Sequence, residues 1–514
     1  MQKRIAFKSI CIFEDERFPN FFPLSLDRPV FEIDIGSSSI RKRIVDESGA
    51  ERVCLLCRPY LVGTLQKALK RAGEGVEFLV NEPPSQDTLF VNGRLLALGD
   101  DMHELTGTLE PDSIIHKNGI PVAAYLSEEK VGEFCSFLEA LLSDDAMVKI
   151  IQNIKKISEG GEVQGNESEE QRIEKRVEKL SDWAKAQSVR LKDTKVKLIS
   201  HIWQLMGENR DCITDDFRKN PLRGSAPDSD LFKGVDIIKE EDIVIGSDTE
   251  VKSGTVLDAS EGPIIIEDNV KIEPNAIIYG PCYIGSGSII RGGAKIGHGT
   301  SVGKYCRIGG EVEETIFSPY TNKQHEGFIG HSYISSWVNI GAGSCNSDLK
   351  NNYGYVKAWS VGRIKDTGRR FLGVIIGSHS KVAINTRFNT GTVVGFNANV
   401  MTTGFPPKFI PSFSWQIVSL QCVLSPPQSF LSPLLYSFAL ALVQKAIHMV
   451  DSMADMLLDT MAVVLLDMKV VDKVALVEEE QRHPLTLLLS IFLQRLLPFP
   501  VPLSFLCQLA EELL

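Results

Sequence analysis

Apolar residues recur at every sixth position through the middle of this chain. Ile266, Ile272, Ile278, Ile284, Ile290, Ile296, Val302 and Ile308 stand six apart without a break. The run starts less regularly at Ile245 and Val251, and resumes at Ile376, Val382, Phe388, Val394 and Val400. Such a period matches neither a helix, at about 3.6, nor the alternation of a strand, at about 2.0. It fits a solenoid with three flat sides of six residues to each turn. Two positions before the aliphatic residue the side chain is small or β-branched, as at Val270, Ala276, Cys282, Ser288, Ala294, Thr300 and Cys306. Such residues fill a narrow triangular interior. Glycine often follows the aliphatic residue, as at Gly285, Gly297, Gly303 and Gly309, and tolerates the backbone angles of a corner.

The flanks of the solenoid carry other patterns. Residues 1–135 mix short apolar runs (Ser9–Phe13, Val53–Leu56, Phe78–Val80, Thr88–Val91) with an amphipathic stretch at Val62–Lys70. That mixture predicts an α/β domain. Residues 128–157 read as helix, Glu159–Glu170 as an exposed acidic loop and Glu174–Lys192 as a charged helix. The expected division is an α/β domain with a helical linker over 1–235, a solenoid over 236–416 with its repeats starting near Asp242, and a tail over 417–514. The tail holds none of the chain's 41 glycines and is rich in leucine. It reads as a helical appendage, a membrane-associated tail or a shifted reading frame, with an aberrant or lineage-specific extension preferred.

Charge and cysteine narrow the function classes. With 55 basic and 66 acidic residues the net charge is −11. No basic stripe interleaves with aromatics, so a nucleic-acid partner is not expected. Ten scattered cysteines read as reduced thiols, and no signal-peptide pattern follows Met1–Arg4. The expected compartment is the cytoplasm. Cys54 and Cys57 form a lone CxxC within an apolar run, which reads as core rather than metal site.

Several segments together carry a resemblance. They are FPLSLDRPVFEIDIG (22–36), LFVNGRLL (89–96), HIWQLMGENRDCITDDFRKN (201–220), HEGFIGHSYISSWVNIGAG (325–343), NSDLKNNY (346–353) and the stretch from Gly368 to Trp415. Across about 5–415 the chain resembles the bifunctional GlmU-related sugar nucleotidyltransferase/acyltransferases. That resemblance implies a nucleotidyltransferase-like domain followed by a left-handed parallel β-helix of hexapeptide repeats. It also implies a homotrimer with acyl-CoA grooves between subunits. The implied chemistry is acetylation of an amino-sugar 1-phosphate by acetyl-CoA, joined to nucleotidyl transfer from UTP.

Nucleotidyl transfer needs amides and cations around the triphosphate and carboxylates on Mg²⁺. The family's glycine-rich loop is missing, since Cys11–Asp27 contains no glycine. Arg28 is the expected phosphate-binding cation, with Arg41, Lys42 and Arg43 nearby. At the strand end where the superfamily places a metal-binding Asp, this chain has Asn92 and Arg94. Asp100 and Asp101 are the remaining acidic candidates.

Acyl transfer needs a base for the attacking amine and donors for the tetrahedral oxyanion. The histidines available are His298, His325, His331 and His379. The resemblance selects His325, five positions before Gly330, as the catalytic base. It implies that Glu311, Asn339 and Asn346 contact substrate. The family's sugar-phosphate lysine and arginine have no clear match, and Lys323, Lys350, Arg369 and Arg370 are the candidate substitutes, with Lys350 preferred. Phe328 replaces a tyrosine of the family. His379, Gly373 and Gly391 are the expected contacts of the CoA arm. Competing expectations are a chain with only the acyltransferase half active, and a non-enzymatic β-helix scaffold.

Overall fold

Strand β1 (Ser9–Phe13) is an interior strand of a seven-stranded mixed sheet. The computed structural model describes residues 7–73, 75–142, 169–194, 196, 198–223, 232–402 and 404–417. Of the loop expected over Glu159–Glu170, residues 159–168 lie outside the described residues, as does the tail beyond Ile417, whereas Glu169 and Glu170 already belong to a helix. The sheet is completed by β2 (Arg52–Leu56), β3 (Glu77–Val80), β4 (Thr88–Asn92), β5 (Ser113–Lys117), β6 (Ile120–Leu126) and β7 (Arg190–Asp193). Their order is β3-β2-β1-β4-β6-β5-β7. β1 pairs in parallel with β2 and β4, while β6 runs antiparallel to β4.

Both faces of this sheet are covered, so its strands are apolar throughout. Ile10, Ile12, Val53 and Leu55 enter one core, and Cys11, Phe13, Cys54 and Leu56 enter the other. Helices α1 (Ile40–Ser48), α2 (Val62–Ala72) and α3 (Asp101–Thr108) supply side chains to the first core. Helices α4 (Glu128–Leu141) and α5 (Glu169–Ala186) supply the second, through Phe134, Leu138 and Leu180. Cys54 and Cys57 fall into opposite cores. Burial pushes the Cys57 thiol up to about 12. The charged helix expected over Glu174–Lys192 starts earlier and stops at Ala186, because Arg190–Asp193 joins the sheet edge beside β5.

The hexad pattern folds as read, into a left-handed parallel β-helix with three sheets. The first face stacks Asp236–Ile238, Val256–Asp258, Ile277–Tyr279, Lys295–Ile296, Glu311–Glu313 and Phe328–Gly330. The second and third faces each stack nine strands, ending at Phe409–Ile410 and Trp415–Ile417. The first strand precedes Asp242, so the coils start slightly earlier than the repeat suggested. After Cys345–Asn346 the coil is interrupted by a segment carrying the antiparallel hairpin Lys357–Ser360/Arg363–Asp366. It then resumes at Ile375–Ile376.

Helix α6 (Gln204–Lys219) lies against the second face. Its Ile213 and Phe217 pack on Val244, Ile265 and Tyr283. This explains why Ile264–Ile266 and Cys282–Ile284 are buried at every residue, whereas exposed faces alternate, as at Lys295–Ile296. Asn209, fully buried, fastens the seam. Its amide donates to the Gly299 carbonyl at 2.8 Å and to Ser301 Oγ at 3.0 Å, and its oxygen accepts from Gly36 N at 2.7 Å. Met1–Gln421 therefore form one compact unit. Among the described residues, no helix is long and apolar enough to cross a membrane.

Candidate functional site

The loop after β1 is built on two buried ion pairs. Glu14 accepts from Arg58 Nε at 3.0 Å and from Val30 N at 2.8 Å. The Arg58 guanidinium lies 4.3 Å from the centre of the Phe18 ring. Asp15 accepts from Arg94 Nε at 2.9 Å and from Asn92 Nδ2 at 2.8 Å. Burial raises the Asp15 carboxyl, but the Arg94 charge and its hydrogen bonds outweigh that and hold it below the usual range. Arg94 also donates to the Ile199 carbonyl at 2.6 Å. Asn92 and Arg94 thus join Asp15 in one closed network.

That network fits Mg²⁺ poorly. Mg²⁺ binds through one or two free carboxylates plus substrate oxygens, and Asp15 is committed to Arg94 and Asn92. Asp101 receives the Leu98 amide at 3.2 Å. Among the described residues, no group of three His, Cys, Asp or Glu side chains could hold a metal.

Above the loop lies a cleft of about 760 Å³. Its floor includes Asp15, Glu16, Arg17, Pro19 and Asn20. Helix α5 lines one wall with Lys175, Arg176 and Lys179. The β-helix hairpin lines another with Arg363 and Lys365. Arg28 is not in this cleft. It pairs with Asp27 at 3.3 Å and Asp34 at 3.6 Å, and donates to Ser378 Oγ at 3.1 Å. It is a seam residue between α/β domain and β-helix. Arg41, Lys42 and Arg43 are likewise paired, with Glu32, Asp46 and the Asp215–Asp216 pair.

A second cluster lies where the first face ends. His331 takes a left-handed backbone (φ 46°) at the corner after Phe328–Gly330. Its Nδ1 lies 2.9 Å from Asp348 Oδ2, and its ring stacks on Phe371 at 5.0 Å. A carboxylate on one ring nitrogen fixes the tautomer and leaves the other nitrogen to act. His325 lies at the other end of the same strand and is exposed. Its backbone carbonyl accepts from Lys323 Nζ. Lys323 stands in register with Ile308, in the inward aliphatic column. Burial pushes its ammonium down to about 8, with Glu326 opposing.

The other expected site residues are dispersed. Glu311 is exposed on the first face, beside Phe328 in register. Asn339 lies on the third face, where Asn322 Nδ2 donates to it at 2.7 Å. Asn346 points inward. Its amide accepts from Gly330 N and donates to Gly330 O, both at 3.0 Å, so it clamps two coils together. Lys350 donates to the Tyr355 carbonyl at 3.4 Å. Gly373 and Gly391 are buried in the coil wall. A Cβ on Gly373 would lie 2.0 Å from the Gly330 carbonyl, and one on Gly391 would lie 2.7 Å from that of Lys357. Their close approaches are to the chain's own backbone. His379 occupies a corner between the second and third faces, stacked on Trp337 and edge-on to Phe396. Within one chain these three residues make no CoA groove. His298 contacts the Gly280 carbonyl at 2.6 Å.

Residues 10–220 match the sugar nucleotidyl transferase family, and residues 263–298 match the six-repeat bacterial transferase hexapeptide family. Both matches, together with the curated relatives, support a GlmU-related family. Its curated relatives include the bifunctional protein GlmU of Wigglesworthia glossinidia brevipalpis, 30% identical over 36% of this chain and 37% of that protein. Another is a bifunctional sugar-1-phosphate nucleotidylyltransferase/acetyltransferase of Sulfurisphaera tokodaii, 32% identical over 26% of this chain and 37% of that protein. The chain thus spans little more than a third of the length of these relatives.

The sequence pattern did not reveal Asp348 or the column beside His379. Tyr305, Tyr320, Trp337 and His379 all have positive φ and stack in sequence, Tyr320 on Trp337 at 4.6 Å. Each stands three positions before the inward residue of its third-face strand, namely Ile308, Lys323, Ile340 and Val382. The spacing was visible, but bulky residues at φ > 0 are not expected from propensity.

Proposed function

We propose that the β-helix half acylates the amine of an amino-sugar 1-phosphate from acetyl-CoA, and that the N-terminal half handles the nucleotide of an activated sugar. The observation that carries this reading is the His331–Asp348 pair beside the Phe328–Gly330 strand. In acyl transfer the amine nitrogen attacks the thioester carbonyl, the base removes the ammonium proton, and the CoA thiol leaves. Two histidines flank the strand for that task. Family likeness favours His325. Geometry favours His331, because Asp348 already orients its ring. In this reading Glu311, exposed beside Phe328, contacts the sugar amine. Assembly as a homotrimer would supply the second wall of the acyl-CoA groove. A cytoplasmic location would suit all of these substrates.

For the N-terminal half, the match of residues 10–220 to the sugar nucleotidyl transferase family supports transfer from UTP. The closed Asp15–Arg94–Asn92 network supports the alternative, a domain that binds nucleotide without turning it over. Two assays on the purified chain separate these. Thiol release from acetyl-CoA that requires glucosamine 1-phosphate is expected, and its absence from a folded trimer would remove the acyltransferase reading. Pyrophosphate release from UTP and the acetylated sugar phosphate separates an active N-terminal half from a binding module.

A further inference from the structure

The hairpin that interrupts the β-helix reaches the N-terminal cleft. Ala358 and Trp359 are buried in the α/β core, and Trp359 stacks on Phe409 at 3.9 Å. Beyond them, Arg363 and Lys365 line the cleft together with the β1 loop's own residues. The same inserted segment begins at Asp348, the partner of His331, and passes Arg369, whose guanidinium crowds Gly207 at the start of α6. One stretch of chain therefore touches both candidate sites.

The cleft is cationic in an acidic protein. Arg17, Lys175, Arg176, Lys179, Arg363 and Lys365 line it, against Asp15, Glu16 and Asp366, although the chain carries −11 overall. Asp15 is neutralised from outside the lining by Arg94, while Glu16 and Arg176 cancel one another at 2.9 Å, so the cations still outnumber the carboxylates. Local fields of one sign concentrate ligands of the other. The β1 loop has no glycine, the residue most at ease in the backbone angles of a nest of amides that binds anions. Side-chain cations are the remaining means of neutralising a polyphosphate, and Arg363 adds a planar fork suited to phosphate oxygens.

We propose that Arg363 and Lys365 of the β-helix hairpin complete a polyphosphate-binding site in the N-terminal cleft, so that the nucleotide is held by both halves of the chain. This rests on reading the N-terminal half as a nucleotide-handling domain. The hairpin replaces what the loop lost. The site is incomplete in the α/β half alone, and it takes a nucleoside triphosphate through its phosphates.

The test is calorimetric titration of the full chain with UTP and, separately, with tripolyphosphate, without added metal. Wild type and the double variant R363A/K365A are compared, with the remote exposed variant K252A as a control for overall charge. Both side chains line the cleft from a hairpin anchored by Ala358 and Trp359. The melting temperature of the double variant is measured alongside, and the single variant R363A takes its place if the double variant melts lower. The expected result is binding of both probes by wild type and K252A, and at least roughly tenfold weaker binding of both by the double variant, as two charge-assisted contacts are lost. Equal affinity in wild type and double variant would overturn the hairpin's role and leave the nucleotide reading standing. Failure of wild type to bind either probe would overturn both.

Discussion

The Tyr333 hydroxyl donates to the backbone carbonyl of Asp34 at 3.0 Å, across 299 residues of chain. Tyr333 is on the second face of the β-helix, and Asp34 belongs to the two-residue strand Asp34–Ile35 beside α1. The phenol is buried and also contacts Ser318 Oγ at 3.2 Å. Tyr333→Phe leaves that carbonyl with one donor fewer in a dry seam. The expected loss is about 1–2 kcal/mol, read as a lower urea midpoint with unchanged slope.

Asn209→Leu should cost more. The amide joins Gly36, Gly299 and Ser301, so its removal orphans a buried amide and a buried carbonyl together. The expected cost is about 2–4 kcal/mol. The transition should stay single and shift downward as a whole. Two separated transitions in this variant would show that the seam is not part of one cooperative unit.

Lys323→Met is expected to stabilise. The amine sits in an aliphatic column, and its pKa falls to about 8 on folding, chiefly by burial. Between that value and the ordinary lysine pKa of about 10.4, the unfolded chain binds more protons than the folded one. Wild-type stability therefore rises with pH through that window. The full penalty, about 3 kcal/mol, applies below it. The methionine variant should melt higher at pH 7 and lose the rise. A rise of the same size in both proteins would exclude Lys323 as its source.

Asp15→Asn should destabilise by about 3–5 kcal/mol, because it leaves Arg94 buried without its charge partner. Burial acts to raise the Asp15 pKa, but Arg94 brings it below the ordinary value. The ion pair therefore contributes stability above the unfolded-state carboxyl pKa. That contribution is lost as pH falls through the lower folded value. Acid unfolding of wild type and variant should converge at low pH.

Asp348→Asn tests the oriented imidazole. If His331 is the base, turnover should fall roughly 100-fold with little change in KM for the sugar phosphate. His325→Ala should then leave most of the activity. The reverse pattern would return the role to His325.

The hexad period made the β-helix legible because each coil repeats the same inward side chain. The α/β half was legible from apolar runs bounded by turns. What escaped was whatever depends on distant partners. Arg28 looked like a phosphate ligand because its ion pairs and its contact with Ser378 cannot be seen locally. Asn346 looked like a substrate contact because nothing in NSDLKNNY shows that its amide clamps Gly330. Asp348 was overlooked for the same reason, since its partner belongs to the coil before it.

The polar seam also bears on descent. Asn209, Arg28 and Asp34 each need particular atoms from coils that are remote in sequence. A foreign β-helix fused behind this α/β half would meet them with the wrong hydroxyls and carbonyls. Substitutions on one side of the seam can persist only with matching changes on the other. The two halves are thus inherited as a matched pair, and chimaeras should tolerate exchange within a half far better than exchange of one half for another.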